Sequence, residues 1–273
     1  MSAGYEALRT SAAVIDLTRR GEIKVTGEDR ARLLHAISSN HIERLTPGEG
    51  CYAFFLNAQG KILADANILC FADHLLVDTE PETREKLLKY IDKYIIAEDV
   101  VLEDLPLDVL GVEGPQAAEA MAAVGAPVPP AEFAHAAWGD ATVARISATG
   151  ASGFRIFLPE GRREGVRARL GLPQAMEDDW RIVRLEHGKP RYGEDITDAT
   201  LPQESQQMHA VSFNKGCYIG QEIVERIRAQ GQVKRRLEKL EYEPGHPPDA
   251  QITSEALSPG LGWMVGLGYV RVA

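Results

Sequence analysis

Short strand-like runs and short amphipathic helices alternate twice along this chain, and then the helices stop. This is the feature that most restricts the fold. Glu22 to Thr26 alternates as a strand and ends at Gly27, and Glu28 to Ser38 carries Leu33, Leu34 and Ile37 at helical spacing. Tyr52 to Leu56 and Lys61 to Leu69 read as two strands joined by the turn Asn57-Ala58-Gln59-Gly60. His74 to Asp78 is a strand. Pro81 is placed to open a helix bearing Leu87, Leu88, Ile91 and Ile95, and Val100 to Glu103 closes the set. A second set follows: strand Leu107 to Val112, helix from Gly114-Pro115 to Val124, strands Thr142 to Ile146 and Phe154 to Leu158, and helices Arg162 to Leu170 and Glu177 to His187. Gly188-Lys189-Pro190 stops the last helix. After Gln232 only β-like runs remain, Val233 to Tyr242 and Gly262 to Val272, broken by prolines. The pattern predicts two α+β layers in series and a small antiparallel barrel or sandwich at the C-terminus.

Composition narrows the function. Lys plus Arg number 30 against 40 Asp plus Glu, a net charge of −10, which argues against a nucleic-acid coat or a basic membrane binder. The longest uncharged stretch, Ala256 to Val270, is short of the roughly 20 apolar residues of a membrane span and is interrupted by glycines. The N-terminus lacks the basic start and apolar block of a signal peptide. Cys51, Cys70 and Cys217 do not make a disulfide framework, so a cytoplasmic, reducing location is expected. No Cys–Cys pair has metal-ligand spacing, and neither a G-x-G-x-x-G nor a P-loop occurs.

Four segments carry chemistry. In Lys215-Gly216-Cys217-Tyr218-Ile219-Gly220-Gln221-Glu222, two glycines bracket a cysteine, which suits a tight exposed loop. Lys215, and a helix N-terminus if one starts near Gly220, would favour a thiolate. A buried loop cysteine acting as a small hydrophobe is the plain alternative. Glu186 sits in the last turn of its helix, where the macrodipole disfavours it, so it invites a partner. That partner is either the amino-pyrimidinone edge of a ligand or a neighbouring Arg184, Lys189 or Arg191. Asp65 alternates with apolar neighbours, shares its side of the strand with Leu63 and Asn67, and points either into a cleft or to solvent. Arg226, Arg228, Lys234, Arg235 and Arg236 form a basic island suited to an anionic ligand tail, or simply a solvated face.

Taken together, these segments resemble the YgfZ family of folate-binding proteins, a branch of the glycine-cleavage T-protein (aminomethyltransferase) superfamily. The motif from Lys215 to Glu222 carries most of the resemblance. Asp16 to Gly21, Val25 to Asp29, Asn57 to Asp65, Arg184 to Asp195, Pro202-Gln203-Glu204 and Ile252-Thr253-Ser254 follow in the family's order. The resemblance implies two ferredoxin-like-type α+β subdomains, 1–106 and 107–229, and a short C-terminal β-barrel, 230–273, around a central cleft for tetrahydrofolate or another reduced folate. It implies that Glu186 contacts the pterin, that Asp65 lies near the folate's reactive nitrogens, that Tyr192 lies near the folate and that Arg226 lies near its carboxylate end. It makes Cys217 a functional thiol, and iron–sulfur carrier or client proteins the partners of an assembly or repair factor. Three departures stand out. T-proteins carry two adjacent acidic residues where this chain has Ala64-Asp65, and an aspartate-phenylalanine pair where it has Cys217-Tyr218. The segment Glu243 to Thr253 is also short for the family. The alternative is therefore an aminomethyl or one-carbon transferase using tetrahydrofolate.

Overall fold

The computed structural model describes residues 1–231 and 233–272. The chain opens with α1 (Ala3–Thr10) and β1 (Ala13–Asp16). Next come β2 (Gly21–Thr26), α2 (Arg30–Ile37), β3 (Gly50–Leu56), β4 (Ile62–Cys70), β5 (Leu75–Thr79), α3 (Arg84–Asp92) and β6 (Val101–Leu105). The second run is β7 (Leu107–Glu113), α4 (Ala117–Ala123), β8 (His135–Trp138), β9 (Ala141–Ala144), β10 (Gly153–Pro159), α5 (Arg163–Leu170) and α6 (Glu177–Glu186). Then follow α7 (Pro202–Ser205), a 3-10 turn (Met208–Ala210), α8 (Gln221–Gln230), β11 (Arg235–Tyr242), β12 (Gln251–Leu257) and β13 (Met264–Arg271). These form two compact units. The first comprises Met1–Arg19, Pro106–Pro190 and Glu238–Val270; the second comprises Arg20–Leu105, Arg191–Leu237 and the C-terminal residues.

The first unit is built on an antiparallel sheet in the order β1-β7-β10-β9-β8. Val14, Val112, Val143, Phe154 and Ile156 form its core with Ala117 and Met121 of α4 and Leu170 of α5. Helix α1 packs against α6, and Gly4 makes this possible, because a Cβ there would lie 2.6 Å from the Ala175 Cα. Asp179 helps to start α6 by accepting the Met176 N–H at 2.9 Å, which satisfies one of the helix's orphan donors. The second unit has the sheet β3-β4-β5-β2-β6. Helices α2 and α3 cover one face of it through Leu33, Leu34, Ile37, Leu87 and Ile91 against Ile23, Ala53, Phe55, Ala64, Ala66 and Val77.

Read strand by strand, the two sheets have the same plan. The order β6-β2-β5-β4-β3 matches β1-β7-β10-β9-β8, with one edge strand supplied from opposite ends of the run. In the second unit that edge strand, β6, comes last. In the first it is β1, contributed from the N-terminus, so the two α+β layers do not follow one another in simple series. Its sequence Ala-Val-Ile-Asp is three apolar residues and an aspartate without alternation, which pattern alone does not identify.

Three expectations are corrected. The C-terminal element is an open three-stranded sheet, β11-β13-β12, and not a barrel. Among the described residues both outer strands pair with β13 alone, and closure would need them joined to each other or through further strands. The short stretch between Tyr242 and Gln251 supplies no such strand. Pro81 does not open α3. Residues 81–83 form a turn in which the Thr83 N–H donates to the Glu80 carbonyl at 3.0 Å, and the helix begins after Thr83. Strands β1, β8 and β12 and helix α1 were not anticipated. No helix among the described residues is long and apolar enough to cross a membrane.

Candidate functional site

The face of the second unit's sheet turned away from α2 and α3 carries an unusual run of buried polar groups. Strand register sets it: Phe54 pairs with Asp65, Tyr52 with Asn67, and Asn67 with Asp78. Asp65 is 7% exposed and accepts a hydrogen bond from the Tyr52 hydroxyl at 2.6 Å, a diagonal cross-strand contact. The Tyr52 ring stacks on His209, with centroids 5.3 Å apart and planes 24° from parallel. Asn67 donates to Asp78 at 2.7 Å, and Arg20 donates to the other Asp78 oxygen at 2.6 Å. Arg20 also pairs with Glu80, which meets Arg191 at 3.1 Å, and Arg191 pairs with Glu82 at 2.6 Å. Burial, helped by the charge of Glu80, pushes the Asp65 carboxyl up to about 6. Such a group exchanges a proton close to neutrality, as general acid–base work requires, whereas a solvent-facing carboxyl would not. Tyr192 is buried beside this strand. Its hydroxyl donates to the Leu63 carbonyl at 2.7 Å, and Lys86 lies 5.9 Å from its ring centroid.

Position 64 faces the other way. Ala64 belongs to the core under α2 and α3, so a carboxyl there would not share a face with Asp65. The missing acidic neighbour therefore removes nothing from the face that Asp65 occupies.

The cysteine motif lies in the same unit, where it meets the Asn57–Gly60 turn. Gly220 has φ +82°, and a Cβ there would lie 2.6 Å from the Asn57 carbonyl oxygen. It stands directly before α8, the helix considered at this point from the sequence. Gly216 is different: a Cβ there would meet nothing within 4 Å, and its φ lies outside the left-handed range. Cys217 is exposed. Tyr218 is buried, with its N–H 3.3 Å from the Gln221 side-chain oxygen and its hydroxyl without a partner among the described residues. Glu222 is exposed on the first turn of α8. Lys215 does not point outward. Its ammonium donates to the backbone carbonyls of His35, Ser38 (2.6 Å) and Asn40 (2.8 Å), and the thiol it influences is that of Cys51. Burial pulls Lys215 down to about 8 and pushes Cys51 up to about 12. Arg226 is exposed on α8, Arg228 stacks over Phe213 at 4.2 Å, and Arg235 is held by Glu204 at 3.1 Å, so the basic island is partly neutralised.

Glu186 belongs to the first unit, and its carboxylate is already engaged. Ser258 donates to Oε1 at 2.6 Å, the Tyr5 hydroxyl donates to the same oxygen, and Arg9 pairs with Oε2 at 3.1 Å. The Tyr5 oxygen also accepts the Gly260 N–H at 3.1 Å. The partner that helix position called for is thus supplied by the chain's own two ends, not by Arg184, Lys189 or Arg191. Tyr5, Arg9 and Ser258 could not be found from sequence, since up to 253 residues separate them. Tyr52 was missed for a related reason: its contact with Asp65 depends on strand register, not on spacing. Among the described residues, no three His, Cys, Asp or Glu side chains are grouped as a metal site.

Comparison with known proteins gives consistent matches. Residues 1–215 match the family model described as the GCVT N-terminal domain, which ends just before Cys217. An aminomethyltransferase of Rubrobacter xylanophilus is 29% identical over 298 residues, covering 99% of this chain and 79% of that protein. A chloroplastic protein of Arabidopsis thaliana, named provisionally as a transferase, is 25% identical and covers 97% and 67%. The crystal structure of the glycine cleavage system aminomethyltransferase T from Bartonella henselae superposes with a TM-score of 0.87, covering 98% of this chain and 80% of that one. At 22% identity, that likeness concerns the fold.

Proposed function

The chain belongs to the GCVT N-terminal domain family, and from that premise we propose that it binds tetrahydrofolate and serves, as a YgfZ-type factor, in the assembly or repair of iron–sulfur clusters in client enzymes. The observation that carries the reading is Cys217, an exposed thiol set between two buried residues at the head of α8. A single thiolate cannot hold a cluster, so the cluster is cargo, and a carrier or client protein supplies its remaining ligands. Asp65 is the carboxyl that suits a reduced pterin. It is buried, can exchange a proton near neutral pH, and takes one hydrogen bond from Tyr52. The exposed guanidinium of Arg226 suits the carboxylate end of a folate. Tyr192 contributes its buried ring, since its hydroxyl is committed to Leu63. Glu186 would meet a pterin only by exchanging Ser258 and Tyr5 for ligand donors.

In cells lacking the chain, wild type restores the activity of cluster-dependent enzymes, and Cys217→Ala, at equal abundance, does not. Full restoration by Cys217→Ala would remove the thiol from the account.

A second reading is favoured by one observation. Relatives covering nearly the whole chain are named aminomethyltransferases, and Asp65 could steady a cationic one-carbon intermediate on the folate. It predicts folate-dependent ammonia release from an aminomethylated carrier protein, with Cys217 dispensable and Asp65 essential.

A further inference from the structure

The structure assigns to Lys215 the part of a positioning residue for Cys217: its side chain is a peg, driven into the C-terminal end of α2, that fixes the loop from which the thiol projects. An ammonium has three N–H donors and no acceptor. Here the backbone carbonyls of His35, Ser38 and Asn40 account for all three. Those carbonyls lie in the last turn of α2 and just beyond it, where helix carbonyls lack intrahelical partners and the macrodipole is negative. The Tyr218 ring packs beside the ammonium, with Nζ 4.9 Å from its centroid. Lys215 is 8% exposed and Tyr218 7%, while Cys217 between them is exposed. The thiol thus rides on an arch of three peptide links pinned at both feet.

The receiving segment is itself held fast. Ser39 donates through its hydroxyl to the Ala210 carbonyl at 2.6 Å and accepts the Phe54 N–H at 2.9 Å, and Asn40 donates to the carbonyls of Tyr52 and His209. The lysine of the motif is therefore an anchor and not the group that activates the thiol. Its charge is spent on carbonyls. The consequence is that Cys217 presents its sulfur at a fixed point on the surface, and the reacting partner must come to it.

The inference rests on Cys217 being the working thiol, but its test needs neither folate nor a client protein. Cys217 is labelled with a methanethiosulfonate nitroxide. Cys51 and Cys70 are half-buried with thiols pushed up by burial, so Cys217 reacts first, and peptide mapping verifies single labelling. The labelled wild type is expected to give an immobilised electron paramagnetic resonance component. Lys215→Met should lose that component. Tyr218→Phe, which keeps the ring and drops only an unpartnered hydroxyl, should retain it. A folded Lys215→Met protein with the immobilised component intact would overturn the assignment.

If Lys215→Met does not fold, the labelled wild type is titrated from pH 7 to 10 with circular dichroism as the check on folding. Of the titratable groups that face Lys215, burial pushes Cys51 up to about 12 and the Tyr218 hydroxyl well up, burial pulls the imidazoles of His35 and His41 down, and Glu43 is a carboxyl. The loss of one ammonium donor is then the local event in that window. The immobilised component should decline as Lys215 deprotonates, and a spectrum unchanged to pH 10 in folded protein would overturn the assignment.

Discussion

Asp65 is held where its ionised form costs the fold free energy, and replacing it with asparagine should release that cost. Its carboxyl rises from the ordinary 3.8 to about 6 because burial and Glu80 both disfavour the negative charge. At about 1.4 kcal/mol for each pH unit between those values, the ionised carboxylate destabilises the native state by about 3 kcal/mol. The direction follows from proton linkage. Between pH 4 and 6 the folded state binds more protons at this group than the unfolded chain, so its contribution to stability falls as pH rises through that window. Asparagine keeps the acceptor for the Tyr52 hydroxyl and never ionises. Asp65→Asn should therefore match wild type at pH 4 and exceed it at pH 8 by up to about 3 kcal/mol. Urea denaturation followed by circular dichroism, repeated across this range for both proteins, measures the difference. A stability difference that stays flat from pH 4 to 8, or an asparagine variant less stable at pH 8, would refute the reasoning. A gain in stability at this position is what a functional carboxyl is expected to give up.

Glu186→Ala leaves Tyr5, Ser258 and Arg9 without their shared acceptor, and a loss of about 2–4 kcal/mol in chemical denaturation is expected. A loss below 0.5 kcal/mol, the ordinary range for surface changes, would show that the network does not hold the two chain ends together. The two motif glycines should behave oppositely. Gly220→Ala forces a side chain into a left-handed φ and against the Asn57 carbonyl, costing about 1–3 kcal/mol, while Gly216→Ala faces open space and should lie within about 0.5 kcal/mol of wild type.

Legibility in the sequence followed the range of the interaction. The β2–β6 elements could be read because apolar alternation and helical spacing are local. β8 was hidden in the alanine-rich run His-Ala-Ala-Trp, and α1 in eight residues that include Gly4. The shared sheet plan could not be read, because β1 joins β7 across nearly a hundred residues and carries no repeat of sequence. At the site, the glycines suggested a tight loop around Cys217, but the sequence left its exposure open, and the structure shows the thiol exposed. The direction of Lys215 was not, since its acceptors are backbone carbonyls 175 to 180 residues earlier. Both glycines of the motif looked conformational, and only Gly220 has positive φ. Alternation placed Asn67 on the side of Asp65, but the Tyr52 hydroxyl that meets Asp65 depends on cross-strand register. Helix position marked Glu186 as needing a partner. Which partner it took was decided by α1 and the turn after β12, at the far ends of the chain.

The central claim is that this chain binds a reduced folate, with Asp65 among the contacts. Anaerobic calorimetric titration with tetrahydrofolate, on wild type and Asp65→Asn in parallel, tests it most directly. The account predicts one molecule bound per chain in wild type. It predicts binding weaker by roughly tenfold or more in Asp65→Asn, the effect of losing one charge-assisted hydrogen bond. No heat of binding in well-folded wild type would contradict the claim outright, and equal affinity in the two proteins would remove Asp65 from the folate site.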